Sequence, residues 1–168
     1  MASLGHVAVG LAAGRLHASE RPWPAMLGFS ALSLLPDLDV VAFAFGVPYE
    51  HPLGHRGASH SLLVALALGA LCVPLARAPA RRLRLGLLAA GVAASHGLLD
   101  TLTDGGLGAA LLWPFDDARL FAPLRPIPVA PIGAGMLSAR GLYVLAVEAL
   151  MFAPLLLYAL WPRERLSA

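Results

Sequence analysis

Residues 25–47 form an apolar run that is interrupted by Pro36, Asp37, Leu38 and Asp39. Proline lacks a backbone donor and drives the residue before it out of the α region, so a helix begun near Ala25 should break at Leu35. Two carboxylates in apolar surroundings are costly unless something meets them. Any fold of this chain must therefore supply Asp37 and Asp39 with partners.

Those surroundings read as membrane. The 168 residues are 58% hydrophobic and 13% charged, with a mean hydropathy of +0.74, outside the balance of a soluble domain. The apolar runs are 3–14, 25–47, 61–76, 83–99 and 141–161. A helix needs roughly 20 residues to cross a hydrocarbon core of about 30 Å. Only the run 141–161 meets that comfortably. The runs 61–76 and 83–99 are marginal, and 3–14 and 25–35 each reach about half a bilayer. Joined through the polar link Arg15–Pro24, these two half-length helices form a re-entrant hairpin whose open end brings His6 near Asp37 and Asp39. No basic residue precedes 3–14 and His6 interrupts it, which fits a membrane helix better than a cleaved signal. The expected fold is all-α: a single multi-pass helical membrane domain over 1–168, with a Gly/Pro-rich extracytoplasmic segment over 100–140. Within that segment 119–129 reads as short strands or an interfacial loop.

The basic residues orient the chain. All twelve are arginine. Arg77, Arg81, Arg82 and Arg84 form the densest cluster and belong in the cytoplasm. Arg15, Arg21, Arg163 and Arg165 fall on the same side if the runs alternate, and Arg56, Arg119, Arg125 and Arg140 on the other. The arginines lie between apolar runs instead of along one stripe, and the net charge is only +2. That argues against a nucleic-acid partner and for the lipid bilayer. The single Cys72 forms no intrachain disulfide and reads as a small buried hydrophobe.

Six ionisable residues are out of place in a purely structural chain: His6, Asp37, Asp39, His60, His96 and Asp100. His96 and Asp100 stand four apart and share a helix face. His60 precedes the run 61–76 and Asp100 ends the run 83–99. These runs are antiparallel neighbours, so both residues emerge at the face opposite the arginine loop. His55 and Arg56 lie in GHRGASHS just before His60, with Ser59 placed to cap the following helix and Gly54 and Gly57 freeing the backbone to fold over a site.

Imidazoles with carboxylates suit a divalent ion such as Zn²⁺ or Mn²⁺, and six donors accommodate one or two ions. A metal-bound water is a nucleophile at neutral pH, which points to phosphoryl or ester hydrolysis. Glu148, within the last run, reads as a partner of a metal-bound histidine or of an arginine before it reads as a ligand. Asp104, Asp116 and Asp117 read as solvated turn residues, and His17 and His51 as solvated loop residues.

With GH at 5–6, LLPDLD at 34–39, GHRGASHSLL at 54–63, SHGLLDTLTDGG at 95–106 and LLWPF at 111–115, the chain resembles the YdjM-type inner-membrane proteins, described as membrane-bound metal-dependent hydrolases. The resemblance runs from Gly5 to about Pro131. It implies a multi-pass inner-membrane protein whose metal ligands are His6, Asp37, Asp39, His60, His96 and Asp100; His55 and Arg56 match its HRG element and are the candidate catalytic residues. The pattern is also similar to that of zinc-dependent phospholipase C. Where related chains often follow PDLD with histidine, this one has Val40, which bears on whether one metal or two are held.

The expected function is hydrolysis of a phosphoester or ester in a lipid or other amphiphilic substrate at the extracytoplasmic face. Arg56 would neutralise developing phosphate charge. The alternatives are a metal or proton transporter, and a membrane protein whose metal is structural. A transporter needs polar residues through the membrane depth, whereas 83–94 is nearly all apolar beyond Arg84.

Overall fold

The computed structural model describes residues 3–18, 22–76 and 78–162. Arg21, Arg77, Arg163 and Arg165, used above to orient the chain, lie outside these residues. Among the described residues the fold is all-helical: α1 Ser3–His17, α2 Pro22–Leu34, α3 Leu62–Cys72, α4 Pro79–Thr101, α5 Ala139–Met151 and α6 Ala153–Leu160, with 3₁₀ segments at Leu35–Phe45, Ala58–His60, Val73–Leu75 and Gly133–Leu137.

The α conformation ends at Leu34, beside Pro36, as the sequence requires. The chain does not fold back there. It tightens into a 3₁₀ helix through Phe45, so Pro22–Phe45 is a continuous 24-residue stretch with an 18-residue window of mean hydropathy 1.5, long and apolar enough to cross a bilayer. The run 141–161 behaves in the opposite way. It was the segment expected to span most comfortably, yet it is two helices bent by 70°. Pro154 explains the break, because it offers no N–H and its ring clashes with the carbonyl four residues earlier. The helices α5 and α6 qualify as a second span only when taken together.

α1 and α2 are held together by small residues. A methyl group at Gly10 would come within 2.5 Å of Ser30 Cα, and one at Gly14 within 2.3 Å of Met26 Cα. The GxxxG spacing is the usual means by which membrane helices approach closely, and it was not singled out in the sequence. Gly69 on α3 and Gly86 on α4 make a similar approach. Phe29, Ala89 and Val92 form a buried cluster between α2 and α4.

The arginines of one end serve as C-terminal caps. Arg15 donates to the carbonyls of Ala159 (2.9 Å) and Trp161 (2.6 Å) at the end of α6, and Arg84 donates to Leu16 O (2.8 Å) at the end of α1. Carbonyls left over at helix ends are thereby satisfied.

At the other end, residues 102–132 fold over the helices as a cap. Among the described residues it contains no strand, only isolated bridges pairing Thr103 with Ile127 and Ala109 with Leu120. Leu62 N donates to Leu111 O, Ala110 N to Arg56 O and Ala122 N to Thr101 O, which ties this cap to α3, to the loop before it and to α4. Asp116 is a turn residue, accepting from Ala118 N, whereas Asp104 accepts from Val129 N, 25 residues on, and ties the two sides of the cap together.

Candidate metal centre

Four separate segments deliver the six residues to one place. α1 carries His6, the 3₁₀ segment Leu35–Phe45 carries Asp37 and Asp39, the segment before α3 carries His60, with His55 beside it, and the last turns of α4 carry His96 and Asp100. His6, His60, His96 and Asp100 are almost wholly buried, and Asp37 reaches the surface with 8% of its area.

Asp37, His60, His96 and Asp100 form the inner group, and one donor atom from each lies within 4.8 Å of every other. His60 Nε2 stands 3.0 Å from His96 Nε2, 3.6 Å from Asp37 Oδ1 and 3.3 Å from Asp100 Oδ2. His96 Nε2 stands 3.3 Å from Asp37 Oδ1 and 4.0 Å from Asp100 Oδ2. His96 Nδ1 bonds Ser33 O at 2.6 Å. A carbonyl only accepts, so Nδ1 carries the proton and Nε2 turns a lone pair inward. His6 stacks on His96 with 3.7 Å between ring centroids, and its Nε2 faces the other Asp100 oxygen at 3.4 Å. It thus borders the group without belonging to it.

Asp39 differs from Asp37. Its Oδ1 takes His55 Nδ1 at 2.7 Å, and its Oδ2 accepts from Ser59 Oγ at 2.6 Å and from Arg56 N at 3.1 Å. The same Oδ2 lies 3.2 Å from His60 Nδ1, the ring nitrogen on the far side from the inner group. Asp39, His55 and His60 make a second, more exposed set of potential ligands. Ser59, expected as a helix cap, is engaged here instead, and Ser61 caps α3 by accepting from Val64 N.

Arg56 is wholly buried with left-handed backbone, φ 63°. Its Nε pairs with Asp100 Oδ2 at 3.0 Å, and its Nη1 donates to the carbonyls of Leu107 (2.9 Å) and Gly105 (3.1 Å). Nη2 has no hydrogen-bond partner among the described residues. Arg119, which sequence reasoning passed over, donates from the cap to His55 O and His51 O, at 3.0 and 2.9 Å, and fixes the loop that carries His55. Nothing in the sequence near Arg119 announces a contact with a loop some 65 residues away.

The charges do not balance without a cation. Three carboxylates share the site with one guanidinium, an excess of negative charge that a buried environment tolerates poorly. His60, outside the apolar stretches, responds to it. Burial alone would lower its pKa, but the hydrogen bonds to Asp100, Asp37 and Asp39 prevail and push it up to about 10.

Glu148 is fully buried yet stands apart from the cluster. Its Oε2 accepts from Leu4 N (2.6 Å) and Gly5 N (3.1 Å), capping the first turn of α1 just before His6. It is paired with neither a metal-site histidine nor an arginine among the described residues, against both readings favoured from sequence.

A helical, strongly apolar chain with a buried His/Asp group that could hold a metal ion is the class these features define. The family model for the YdjM inner membrane protein matches residues 1–165, and the chain belongs to that family, which places it in the inner membrane. It is 38% identical over 171 residues to the inner membrane protein YbcI of Escherichia coli (strain K12), covering 95% of this chain and 96% of that one. No solved structure matches it.

Proposed function

We propose that the chain is a membrane-bound, zinc-dependent hydrolase of phosphoester or ester bonds in an amphiphilic substrate, with its site at the extracytoplasmic face of a multi-pass helical bundle. The observation that carries the metal is the spacing of the inner group. Ligands at about 2.0–2.2 Å from a tetrahedral ion lie about 3.3–3.6 Å apart; the five histidine-containing pairs among Asp37, His60, His96 and Asp100 run from 3.0 to 4.0 Å, and all four donors lie within 4.8 Å of one another. These four residues would hold the ion, and its charge answers the excess of carboxylates. Two nitrogens with two oxygens favour zinc over the harder manganese.

When bound, the ion supplies a water acidified enough to serve as nucleophile near neutral pH. His55 donates its Nδ1 proton in the bond to Asp39, which leaves Nε2 with a lone pair that would serve as the base for the water proton and return it to the leaving oxygen. Arg56 holds Asp100 in place and retains Nη2 for a developing anionic oxygen. Only the side of the cluster at Asp37 and Asp39 approaches the surface. Around it Leu38, Val41 and Phe45 are 61%, 55% and 81% exposed, an apolar rim suited to a lipid or lipid-linked substrate.

One observation favours a second reading. Four protein donors complete zinc's tetrahedron, the usual pattern of a structural site, whereas catalytic sites keep a position open. Zinc content and hydrolysis of phosphomonoester, phosphodiester and carboxylic ester substrates, measured together on wild type and His55→Gln, separate the two. Zinc-loaded wild type that hydrolyses one class, with His55→Gln loaded but inactive, supports the enzyme. Loaded protein inert on all three supports a structural metal, and protein that takes up no zinc refutes both.

A further inference from the structure

A second feature lies along the side of the bundle, opening toward the arginine end and reaching Leu35, two residues short of Asp37. A groove of about 440 Å³ opens between α2, α4 and the end of α3, walled by Phe29, Leu32, Leu35, Leu75 and Leu85. From Ala25 to Leu35 it follows α2 to its end and the first residue of the 3₁₀ segment, about 15 Å, or half the thickness of a hydrocarbon core. That is the depth of one leaflet.

Two arginines stand beside its outer end without lining it. His17 closes the groove there, its ring edge against Phe29 at 5.7 Å between centroids, with Nδ1 buried and without a hydrogen-bond partner among the described residues. Arg81 and Arg84 lie within electrostatic reach of that imidazole. Arg84 spends one nitrogen on Leu16 O. Neither arginine has a carboxylate partner among the described residues. Arg84 also borders a second apolar depression with Leu83, Leu87 and Leu88, so apolar surface flanks the charge on both sides.

An apolar trough about one leaflet deep, beside two guanidiniums that meet no carboxylate among the described residues, matches an amphiphile with an anionic head. We propose that this groove binds an anionic phospholipid, one acyl chain lying along α2 between Leu32 and Leu85 and the phosphate met by Arg81, Arg84 and His17. The second chain follows α4 past Leu83 and Leu87. Basic pockets between membrane helices recognise anionic head groups by the same electrostatics. The head group would sit about 18 Å from His96, half the length of α4, since Arg84 and His96 are twelve residues apart on it. The lipid is therefore a bound companion and not the molecule acted on at the metal centre.

Native mass spectrometry of the full-length protein in detergent tests this, with phosphatidylglycerol and phosphatidylcholine of identical chains as probes. Gly28 lines the groove and has open space where a side chain would stand, so Gly28→Leu fills the trough without striking the backbone. Arg81 lies in the exposed first turns of α4, so Arg81→Gln leaves the packing alone. Wild type should hold phosphatidylglycerol about fivefold or more tighter than phosphatidylcholine, and Arg81→Gln should remove about fivefold of that preference, the scale of one arginine near a lipid phosphate. Gly28→Leu should weaken both lipids together. Equal affinity for the two lipids in wild type, a preference that survives Arg81→Gln and Arg84→Gln combined, or unchanged uptake by Gly28→Leu would each overturn the proposal. Displacement of phosphatidylglycerol by millimolar inorganic phosphate would overturn it as well, marking a site for the free anion.

Discussion

His96 bonds the backbone carbonyl of Ser33 through Nδ1 at 2.6 Å, so the last turn of α2 sets which nitrogen of an α4 histidine faces the centre. His96→Gln and His60→Gln should each remove a donor from the inner group, and Asp37→Asn and Asp100→Asn should do the same with carboxylates. Elemental analysis should find zinc falling from about one ion per chain to a small fraction in each variant, given four-coordinate binding. Full zinc in all four would remove the centre from consideration.

Asp39 should behave differently, since all its strong contacts are to protein donors and it meets His60 at the outer nitrogen. Asp39→Asn should lower zinc affinity by about 10–100-fold, the usual cost of losing a group that orients a metal-bound histidine. Saturating zinc should still load one ion per chain. A competition titration against a chelator of known affinity reads both quantities, and lost stoichiometry would make Asp39 a ligand.

Much of this site is legible in the sequence because its logic is local. Asp37 follows a helix-ending proline, His96 and Asp100 share a face, and His60 heads the next helix, so topology alone brings them to one end. What is not legible depends on side-chain rotation and on distant chain. Whether Asp39 meets a metal or the back of His60 is a matter of which ring nitrogen turns inward, and Arg119 reaches the His55 loop from a cap with no periodicity to read. The bend in 141–161 is a different case, because Pro154 stands in plain view and the length of the apolar run outweighed it.

The pH dependence follows from His60. With its pKa raised to about 10, the metal-free protein carries a proton there throughout the neutral range. That proton stabilises the metal-free fold fully below the ordinary value near 6.5, and the contribution is lost as pH climbs through about 10. Zinc must displace the proton, so apparent affinity should rise about tenfold per pH unit between roughly pH 7 and 9. Chelator competition at three pH values in that window measures the slope, and a flat profile would show that His60 is not deprotonated on binding.

Glu148 offers the clearest separation between holding a helix and holding a metal. Its Oε2 satisfies the amides of Leu4 and Gly5, and the turn it caps places His6 flat against His96. Glu148→Ala strands those two donors in a buried setting and should destabilise the fold by about 2 kcal/mol, seen as a lower melting temperature in detergent. Zinc should still load to one ion per chain and recover part of the loss, because an ion bound only by the folded state stabilises it. A Glu148→Ala protein with unchanged melting but reduced zinc would reverse the assignment and make Glu148 part of the centre.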